Sequence, residues 1–549
     1  MLHVVVICAD KYSNQPDDIA LKPLAEQLDS QLWGLLPGFH RLVFEGGQVL
    51  LTLCIGDIAK VLRLQQFEAD FIDLTYTALA KEDVLYAAKA IARLCKPGTR
   101  LSASHTIEAF QVALRQCGFA MNACHHELKA VYSPAWVQKK TKPAFQPRTC
   151  VVIGAGLAGA AVASSLARRG WSVTVLDAAG QPASGASGLP VGLLVPHTSP
   201  DDGPLSRLSR TGVRMTFEQA ERLLQTGGEF SRTGVLERNV NGEPKRLPTA
   251  WANEWAHAAN AWSYPATPNQ LQAAGVPAES TGLWHTRAGW IKPAALVKAW
   301  LAAPGVTLRA NAVAAQVVPL RPDAVGNLMG WQVIDANGKQ LAQAHLVVIA
   351  SGYASQALAA TGSAALVALQ PIRGQVSLGL HPGYGSASSL PAFPVNGHGG
   401  FLSAIPSDKG AFWLMGSTYQ RDELVPSVKH QDHNENFGRL QILLPQTAAA
   451  LADGFDAHHA QAWAGVRCAT PSRLPLLKQL ANTQSNASLW VCAGMGSRGL
   501  TFAALCAELL AAQLHGEPLP VDRQLAGKLL GTKNVEYLRT NTDCSPINT

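Results

Sequence analysis

No stretch of this 549-residue chain limits its possible folds more than Thr149–Asp177, TCVVIGAGLAGAAVASSLARRGWSVTVLD. Cys150–Ile153 is a short apolar run suited to a buried parallel strand. Gly154, Gly156 and Gly159 then form G-x-G-x-x-G, Ala161–Arg169 continues as a helix that Gly170 ends, and Trp171–Leu176 is a second strand. Asp177 closes the unit 18 residues after the third glycine. In such a unit the first glycine permits the tight turn, the second lets the backbone approach a pyrophosphate, and the third lets helix and strand pack closely. The helix N-terminus, with free N–H groups and the positive end of the dipole, receives the pyrophosphate. Asp177 would accept hydrogen bonds from a ribose. The stretch predicts a dinucleotide site lined by Gly154, Ala155, Gly156, Gly159 and Asp177.

At this length two or three domains are expected. A hydrophobic content of 47% with 15% charged residues excludes a largely disordered chain. The net charge of +7 is compatible with an anionic partner such as nucleic acid, and equally with an enzyme that has none. The ten cysteines are scattered, with no Cys-x-x-Cys pair and no Cys/His cluster at metal spacing. That pattern predicts reduced thiols, a cytoplasmic protein and no metal site. No apolar run approaches the roughly 20 residues of a spanning helix, and Leu2–Asp10 fits a buried strand better than a signal peptide.

Residues 1–130 alternate strand-like and helix-like pieces, which predicts an α/β layer with a partly parallel sheet. The pieces are strands near His3, Gln48 and Ala69, a helix from Lys81 stopped by Lys96-Pro97-Gly98, a strand from Thr99, and a helix from Ile107 capped by Gly118. Gly46-Gly47 reads as a hairpin turn. Ser133–Arg148, with three prolines and four basic residues, reads as a linker.

Beyond the dinucleotide unit, Ser184–Gly192 (SGASGLPVG) is a second run of small residues that could wall the phosphates, with Ala186, Ser187 and Gly192 as candidate contacts. Arg207, Arg210 and Arg214 recur at helical spacing and read as a solvated basic face. Trp251, Trp255 and Trp262 read as core. His285–Ala302 predicts a turn and a helix with Pro293 near its first position. Asn337-Gly338 marks a hairpin, and Leu346–Gly352 a strand returning to the dinucleotide sheet. Segments at Pro371, Pro394 and Phe412 read as strands of a second, antiparallel sheet, and Asp432 as the start of a helix. Arg467 lies on a strand-like segment from Trp463. Leu489–Gly516 combines strand, glycine turn and long helix, a second helix N-terminus facing the same cofactor. The tail from about Lys533 reads as frayed.

The set GAGLAG at Gly154, SGASG at Ser184, PIRGQVS at Pro371, WAGVR at Trp463 and GMGSRGLT at Gly494 resembles the D-amino-acid and glycine oxidase superfamily of FAD enzymes. Within it, RGQVS at Arg373, GSTY at Gly416, DHNEN at Asp432 and GSRGL at Gly496, with a methyltransferase-like module in front, resemble the tRNA 5-methylaminomethyl-2-thiouridine biosynthesis family. The resemblance implies an α/β fold: an FAD-binding Rossmann-type domain with an antiparallel-sheet substrate domain, preceded by a partial class I methyltransferase-like module. The expected division is a module at 1–132, a linker at 133–148, the oxidoreductase at 149–530 and a flexible tail at 531–549.

The resemblance also implies the chemistry. The family's C-terminal half uses FAD to remove the carboxymethyl group from 5-carboxymethylaminomethyl-2-thiouridine at the tRNA wobble position, and its N-terminal half methylates the resulting amine with S-adenosylmethionine. Gly496, Ser497, Arg498, Gly499, Leu500 and Thr501 would complete the FAD site. A substrate carboxylate calls for a guanidinium; Arg467 is the first candidate for this catalytic-site role, with Arg498 and Arg373 in reserve. LPGFHRLVFEGGQVLLTLCIGD at Leu36 is similar to the family's segment preceding its methyltransferase core strand. The family's glycine-rich cofactor turn would lie upstream of Met1, and the loop after Asp73 reads LTYTALAKED where an acidic-aromatic sequence is usual. The expectation is a truncated, inactive methyltransferase half, with a misplaced start as the competing explanation. Two other readings stay open: an oxidase of free glycine, sarcosine or D-amino acids, and a tRNA-binding scaffold whose flavin is structural.

Overall fold

The computed structural model describes residues 1–8, 22–74, 84–104, 107–122, 128–136, 146–240, 244–320, 330–362, 368–382, 390–455, 459–482 and 487–531. Most of the basic linker, the loop after Leu74 and the tail from Lys533 lie outside these residues.

Strand Thr149–Ile153 forms where expected, at the middle of a six-stranded sheet. It pairs in parallel with Ser172–Leu176 on one side and Leu346–Ile349 on the other. Leu346–Ile349 pairs in parallel with Ser488–Ala493. Buried on both faces, these strands are almost wholly apolar, as a covered parallel sheet requires. Helices Leu157–Ala167 and Gly499–His515 pack together on one face. Both are apolar nearly all round, because further helices cover them: Pro293–Leu301 packs on Leu157–Ala167, and Pro204–Leu223 on Gly499–His515. Gly212 makes that crossing possible: a Cβ there would lie 1.9 Å from the Thr501 carbonyl oxygen.

The second sheet has nine strands, and its long central member Gln370–Leu380 pairs antiparallel with Phe412–Gly416, Gln420–Arg421 and Gln461–Ala469. Val395–Gly397 and Gly399–Ile405 form a hairpin within it. Helix Gln431–Leu443 covers one face. Helix Pro293–Leu301 starts with its proline at the first turn, the Asn337-Gly338 hairpin closes strands Trp331–Ile334 and Gln340–Ala344, and Trp251 and Trp262 are buried, all as read from the sequence.

The N-terminal part departs from the expected single layer. Its described strands form two small sheets, one of three strands and one of four, each holding one parallel pair. Gly46-Gly47 does turn a hairpin, between Gly38–Phe44 and Val49–Ile55. Lys96-Pro97-Gly98 does not stop a helix. The helix ends at Ala92, and the three residues form an irregularity inside strand Cys95–Ala103, where Ala69 pairs with Cys95 but Phe71 pairs with Arg100. Gly98 supplies the positive φ, +91°, that such a bulge uses.

Arg207, Arg210 and Arg214 do not form a solvated face. Arg210 and Arg214 are buried, Arg210 against Asp202 and Arg214 against the carbonyls of Gln31 and Trp33. Arg207 pairs with Asp522 at 2.9 Å. The Arg214 guanidinium stacks 3.9 Å from the Trp33 ring centroid, and Trp262 Nε1–H donates to the Gly34 carbonyl at 2.7 Å. This side of the helix therefore fastens residues 31–36 to the rest of the protein.

Candidate active site

The glycine turn has the geometry that a phosphate cradle needs. Gly154 adopts φ +111°, and a Cβ there would lie 2.6 Å from the Ala350 carbonyl oxygen. At Gly159 a Cβ would lie 1.9 Å from the Gly154 carbonyl oxygen, so only glycine lets helix and turn close together. The Ala160 N–H donates to Gly156 O at 2.9 Å and starts the helical ladder, leaving earlier amides at the open end. Gly156 faces Ser187, whose hydroxyl accepts from the Leu157 N–H at 2.9 Å. Ser187 in the Ala186–Gly188 turn, read from the sequence as part of a second wall, thus stands beside the first turn. Asp177 sits beside the turn, with Oδ2 accepting from the Ala155 N–H at 2.6 Å and Oδ1 from the Ala179 N–H at 2.9 Å. Each oxygen keeps a lone pair for a ribose hydroxyl.

The second glycine turn meets this cradle. Ser488–Ala493 ends at Gly494, and the Gly496 N–H donates to the Cys468 carbonyl at 2.7 Å, tying the turn to strand Gln461–Ala469. Arg498 is the N-cap of helix Gly499–His515. A Cβ on Gly499 would touch Leu157 Cδ1 at 3.0 Å, and one on Gly192 would meet Leu500 Cδ1 at 2.8 Å. The two helix N-termini, Gly192 and the 186–188 turn therefore lie close together. The Thr501 side chain packs toward Gly212 and the covering helix. The glycine turn, its open amides and the Asp177 carboxylate beside it have the chemistry that FAD needs.

The three candidate arginines separate by strand periodicity. Arg467 stands opposite Ile372, whereas Arg373 stands opposite Val466, so their side chains leave opposite faces of the sheet. Arg467 lies over Gly374; a Cβ there would be 1.8 Å from Arg467 Nη2. Nη2–H donates to Ser417 Oγ at 2.5 Å, and the guanidinium carbon lies 5.4 Å from the Tyr419 ring centroid. Burial lowers the pKa of Arg467, the Tyr419 charge opposes this, and Arg439 adds to it. Among the described residues Arg467 has no carboxylate partner. Arg498 shares these surroundings: burial and Arg473 lower its pKa, and Tyr419 and Glu237 raise it.

Arg373 is corrected as a substrate ligand. It is fully buried on the face covered by helix Gln431–Leu443, with Nη1 2.6 Å from Asp432 Oδ2. Its remaining donors reach Gln375, Gln420 and the Ser427 carbonyl.

Sequence reasoning missed His197 and Glu237. The His197 pKa is lowered first by burial, then by Arg498 and Lys245, and raised by Glu237. Its backbone N–H donates to Ser209 Oγ at 2.8 Å and its ring pairs with Ser206 Oγ at 2.9 Å, which fixes its orientation. Burial alone would raise Glu237, but the His285 hydrogen bond at 3.0 Å and the Lys245 ion pair hold it down to about 2. Neither residue lies in a recognisable motif; the only local signal is that His197 follows the small-residue run. No cluster of three metal-ligating side chains occurs among the described residues, and none of their helices is long and apolar enough to cross a membrane.

A family model for the FAD dependent oxidoreductases (DAO) matches residues 149–513. The chain is 50% identical over 555 residues to the tRNA 5-methylaminomethyl-2-thiouridine biosynthesis bifunctional protein MnmC of Polaromonas naphthalenivorans, covering 96% of this chain and 85% of that protein. It is 52% identical to the same-named protein of Polaromonas sp. strain JS666, covering 93% and 81%. Among solved structures, glycine oxidase from Geobacillus kaustophilus superposes with a TM-score of 0.53 at 20% identity, over 71% of this chain and all of that one. At that identity the likeness speaks for the fold alone.

Proposed function

This chain belongs to the tRNA 5-methylaminomethyl-2-thiouridine biosynthesis bifunctional protein family, and we propose that its oxidoreductase, set at residues 149–530, removes the carboxymethyl group from 5-carboxymethylaminomethyl-2-thiouridine at the tRNA wobble position. The product is the 5-aminomethyl nucleoside. FAD held at the Gly154–Gly159 turn would supply the hydride acceptor for the carboxymethyl carbon; with the amine's N–H proton also lost, water would split the imine into glyoxylate and the primary amine.

The observation that carries this reading is Arg467: a half-buried guanidinium with no carboxylate partner among the described residues, one residue from the Cys468 carbonyl that holds the flavin-side turn. Such a group demands an anion, and the substrate's carboxylate supplies one with matching geometry. Ser417 and the Thr418 carbonyl aim it, and Gly374 makes the room. Arg467, Arg498 and Arg473 together disfavour a protonated amine nearby, so the substrate nitrogen is held neutral, as hydride loss from the adjoining carbon requires. A tRNA substrate implies a cytoplasmic protein. Nucleoside analysis of tRNA from cells lacking this protein tests the reading. Accumulated carboxymethylaminomethyl uridine is expected, and an unchanged wobble profile would contradict it.

The methylation that completes the family's pair of reactions is not assigned to residues 1–132. The one adjacent glycine pair in residues 1–60, Gly46-Gly47, closes a hairpin, and a Cβ on Gly47 would press on Arg168 at 2.9 Å. Gly47 serves packing, and Gly46 supplies a positive φ of +61° to the turn. Labelled S-adenosylmethionine and undermethylated tRNA should give no incorporation, and clear methyl transfer would overturn this.

A further inference from the structure

Strand Gln370–Leu380 has helix Gln431–Leu443 on one face, and the side chains of its edge neighbours sort between its two faces. Gln420 stands opposite Arg373 and belongs to the helix side: its Oε1 accepts from Arg373 Nη1 at 3.0 Å and its Nε2–H donates to Asp432 Oδ1 at 3.3 Å. Alternation along an extended chain sends the preceding side chain, Tyr419, to the other face. Arg467 leaves from that face too, and its guanidinium carbon, reaching across Gly374, stands 5.4 Å from the Tyr419 ring centroid. Trp463 precedes Arg467 on the same strand and shares the face by the same alternation. Its indole lies across Gly465, where a Cβ would be 2.4 Å from the ring, and its Nε1 is 3.7 Å from the position of a Cβ on Gly188. Tyr419 and Arg467 therefore belong to the sheet face that meets the 186–188 turn.

The backbone that carries Tyr419 is fixed. The Thr418 N–H donates to the Gln375 carbonyl at 3.0 Å, and Thr418 Oγ1 accepts from the Gln375 N–H at 2.9 Å. The ring itself is open: at 49% exposure Tyr419 is the one exposed Phe, Tyr or Trp among the described residues from Thr149 onward. An open ring beside a guanidinium with no carboxylate partner among the described residues makes a two-part recognition element, the cation for an anion and the ring for a planar group attached to it. In the substrate read above, a CH2–NH–CH2 chain joins the carboxylate to the uracil ring, about 5 Å when extended. With the carboxylate on Arg467, the base falls within reach of Tyr419. A free amino acid held by the same carboxylate contact brings no base and leaves the ring in water.

We propose that the wobble base packs against Tyr419, and that this contact selects a nucleoside-borne amine over a free amino acid. The proposal rests on the tRNA reading above. A base splayed out of a single-stranded loop presents a flat π-face, which an aromatic side chain holds without reading its edges. Arg467 supplies the anchor and Tyr419 the discrimination.

The test uses the full chain with FAD bound and chemically reduced, so that bound substrate is not consumed. In fluorescence anisotropy, a labelled anticodon stem–loop carrying 5-carboxymethylaminomethyl-2-thiouridine should bind Tyr419→Ala at least about fivefold more weakly than wild type. Tyr419→Phe keeps the ring and should bind within about twofold of wild type. Glycolate, a carboxylate without a ring, should perturb the oxidised flavin spectrum with the same midpoint in Tyr419→Ala and wild type. Equal stem–loop affinity for Tyr419→Ala and wild type would overturn the base contact. So would Tyr419→Phe binding as weakly as Tyr419→Ala, which would assign the effect to the hydroxyl. A glycolate midpoint that rises in step with the stem–loop loss would show that the ring only positions Arg467, and no response of the wild type to glycolate would remove the carboxylate site on which the contact depends. If both variants behave as expected but modified tRNA never bleaches the wild-type flavin, the base contact stands and the proposed reaction fails.

Discussion

Arg373 and Asp432 meet inside the protein, Nη1 to Oδ2 at 2.6 Å, with both side chains fully buried. Removing one partner leaves the other as an uncompensated buried charge, which costs on the order of 3–5 kcal/mol. Asp432→Ala should lower unfolding free energy by about that much in a denaturant titration. A loss below about 1 kcal/mol would mean that the pair is not buried as described.

Gly374 gives Arg467 its path across the sheet, since a Cβ would lie 1.8 Å from Nη2. The obstructing atoms are the end of the flexible Arg467 side chain and, at 2.8 Å, the Thr418 carbonyl oxygen, so Gly374→Ala should displace the guanidinium and shift the backbone at Thr418. The expected result is a rise in substrate KM of about tenfold or more, one charge-assisted hydrogen bond being worth about 1.5–3 kcal/mol, with FAD content unchanged. An unaltered KM would remove Arg467 from the carboxylate site.

The two inner glycines of the first turn should fail differently. A Cβ on Gly159 meets backbone at 1.9 Å, whereas one on Gly156 meets the Ser187 hydroxyl at 3.0 Å. Gly159→Ala should therefore compromise folding. Gly156→Ala should fold and purify with its flavin absorbance largely lost, because the added methyl stands where the pyrophosphate approaches. Full flavin occupancy in Gly156→Ala would contradict the cradle.

Glu218 sets a pH dependence. Burial pushes its pKa up to about 7, against the pull of Arg214, and both carboxylate oxygens lack a hydrogen-bond partner. A carboxyl whose folded pKa is raised binds more protons folded than unfolded between about pH 4.5 and 7, so it weakens the fold as pH rises through that window. Glu218→Gln should stabilise the protein at pH 8 by on the order of 1–3 kcal/mol and have little effect at pH 4. Equal effects at both pH values would show that Glu218 titrates normally.

The sequence disclosed what depends on neighbours along the chain. The Gly154 turn, the return strand at Leu346 and the Gly494 turn each carry their reason within a few residues, because tight turns and covered parallel strands restrict residue type locally. What depends on register stayed hidden. Arg373 and Arg467 both sit on strands, and only the pairing of Arg467 with Ile372 places them on opposite faces. Gly374 was the available signal, a glycine in mid-strand where something passes close. The arginines of helix Pro204–Leu223 looked solvated because the carbonyls that bury Arg214 belong to Gln31 and Trp33. Lys96-Pro97-Gly98 looked like a helix stop because the same residues also suit a bulge.

The central claim, oxidation of a tRNA-borne carboxymethylamine at the Arg467 face of the flavin site, is tested most directly by anaerobic flavin bleaching with the full chain. Stoichiometric addition of tRNA carrying 5-carboxymethylaminomethyl-2-thiouridine should bleach the bound flavin and release one equivalent of glyoxylate, while free glycine at the same concentration leaves the spectrum unchanged. Bleaching by glycine with none by the modified tRNA would contradict the account.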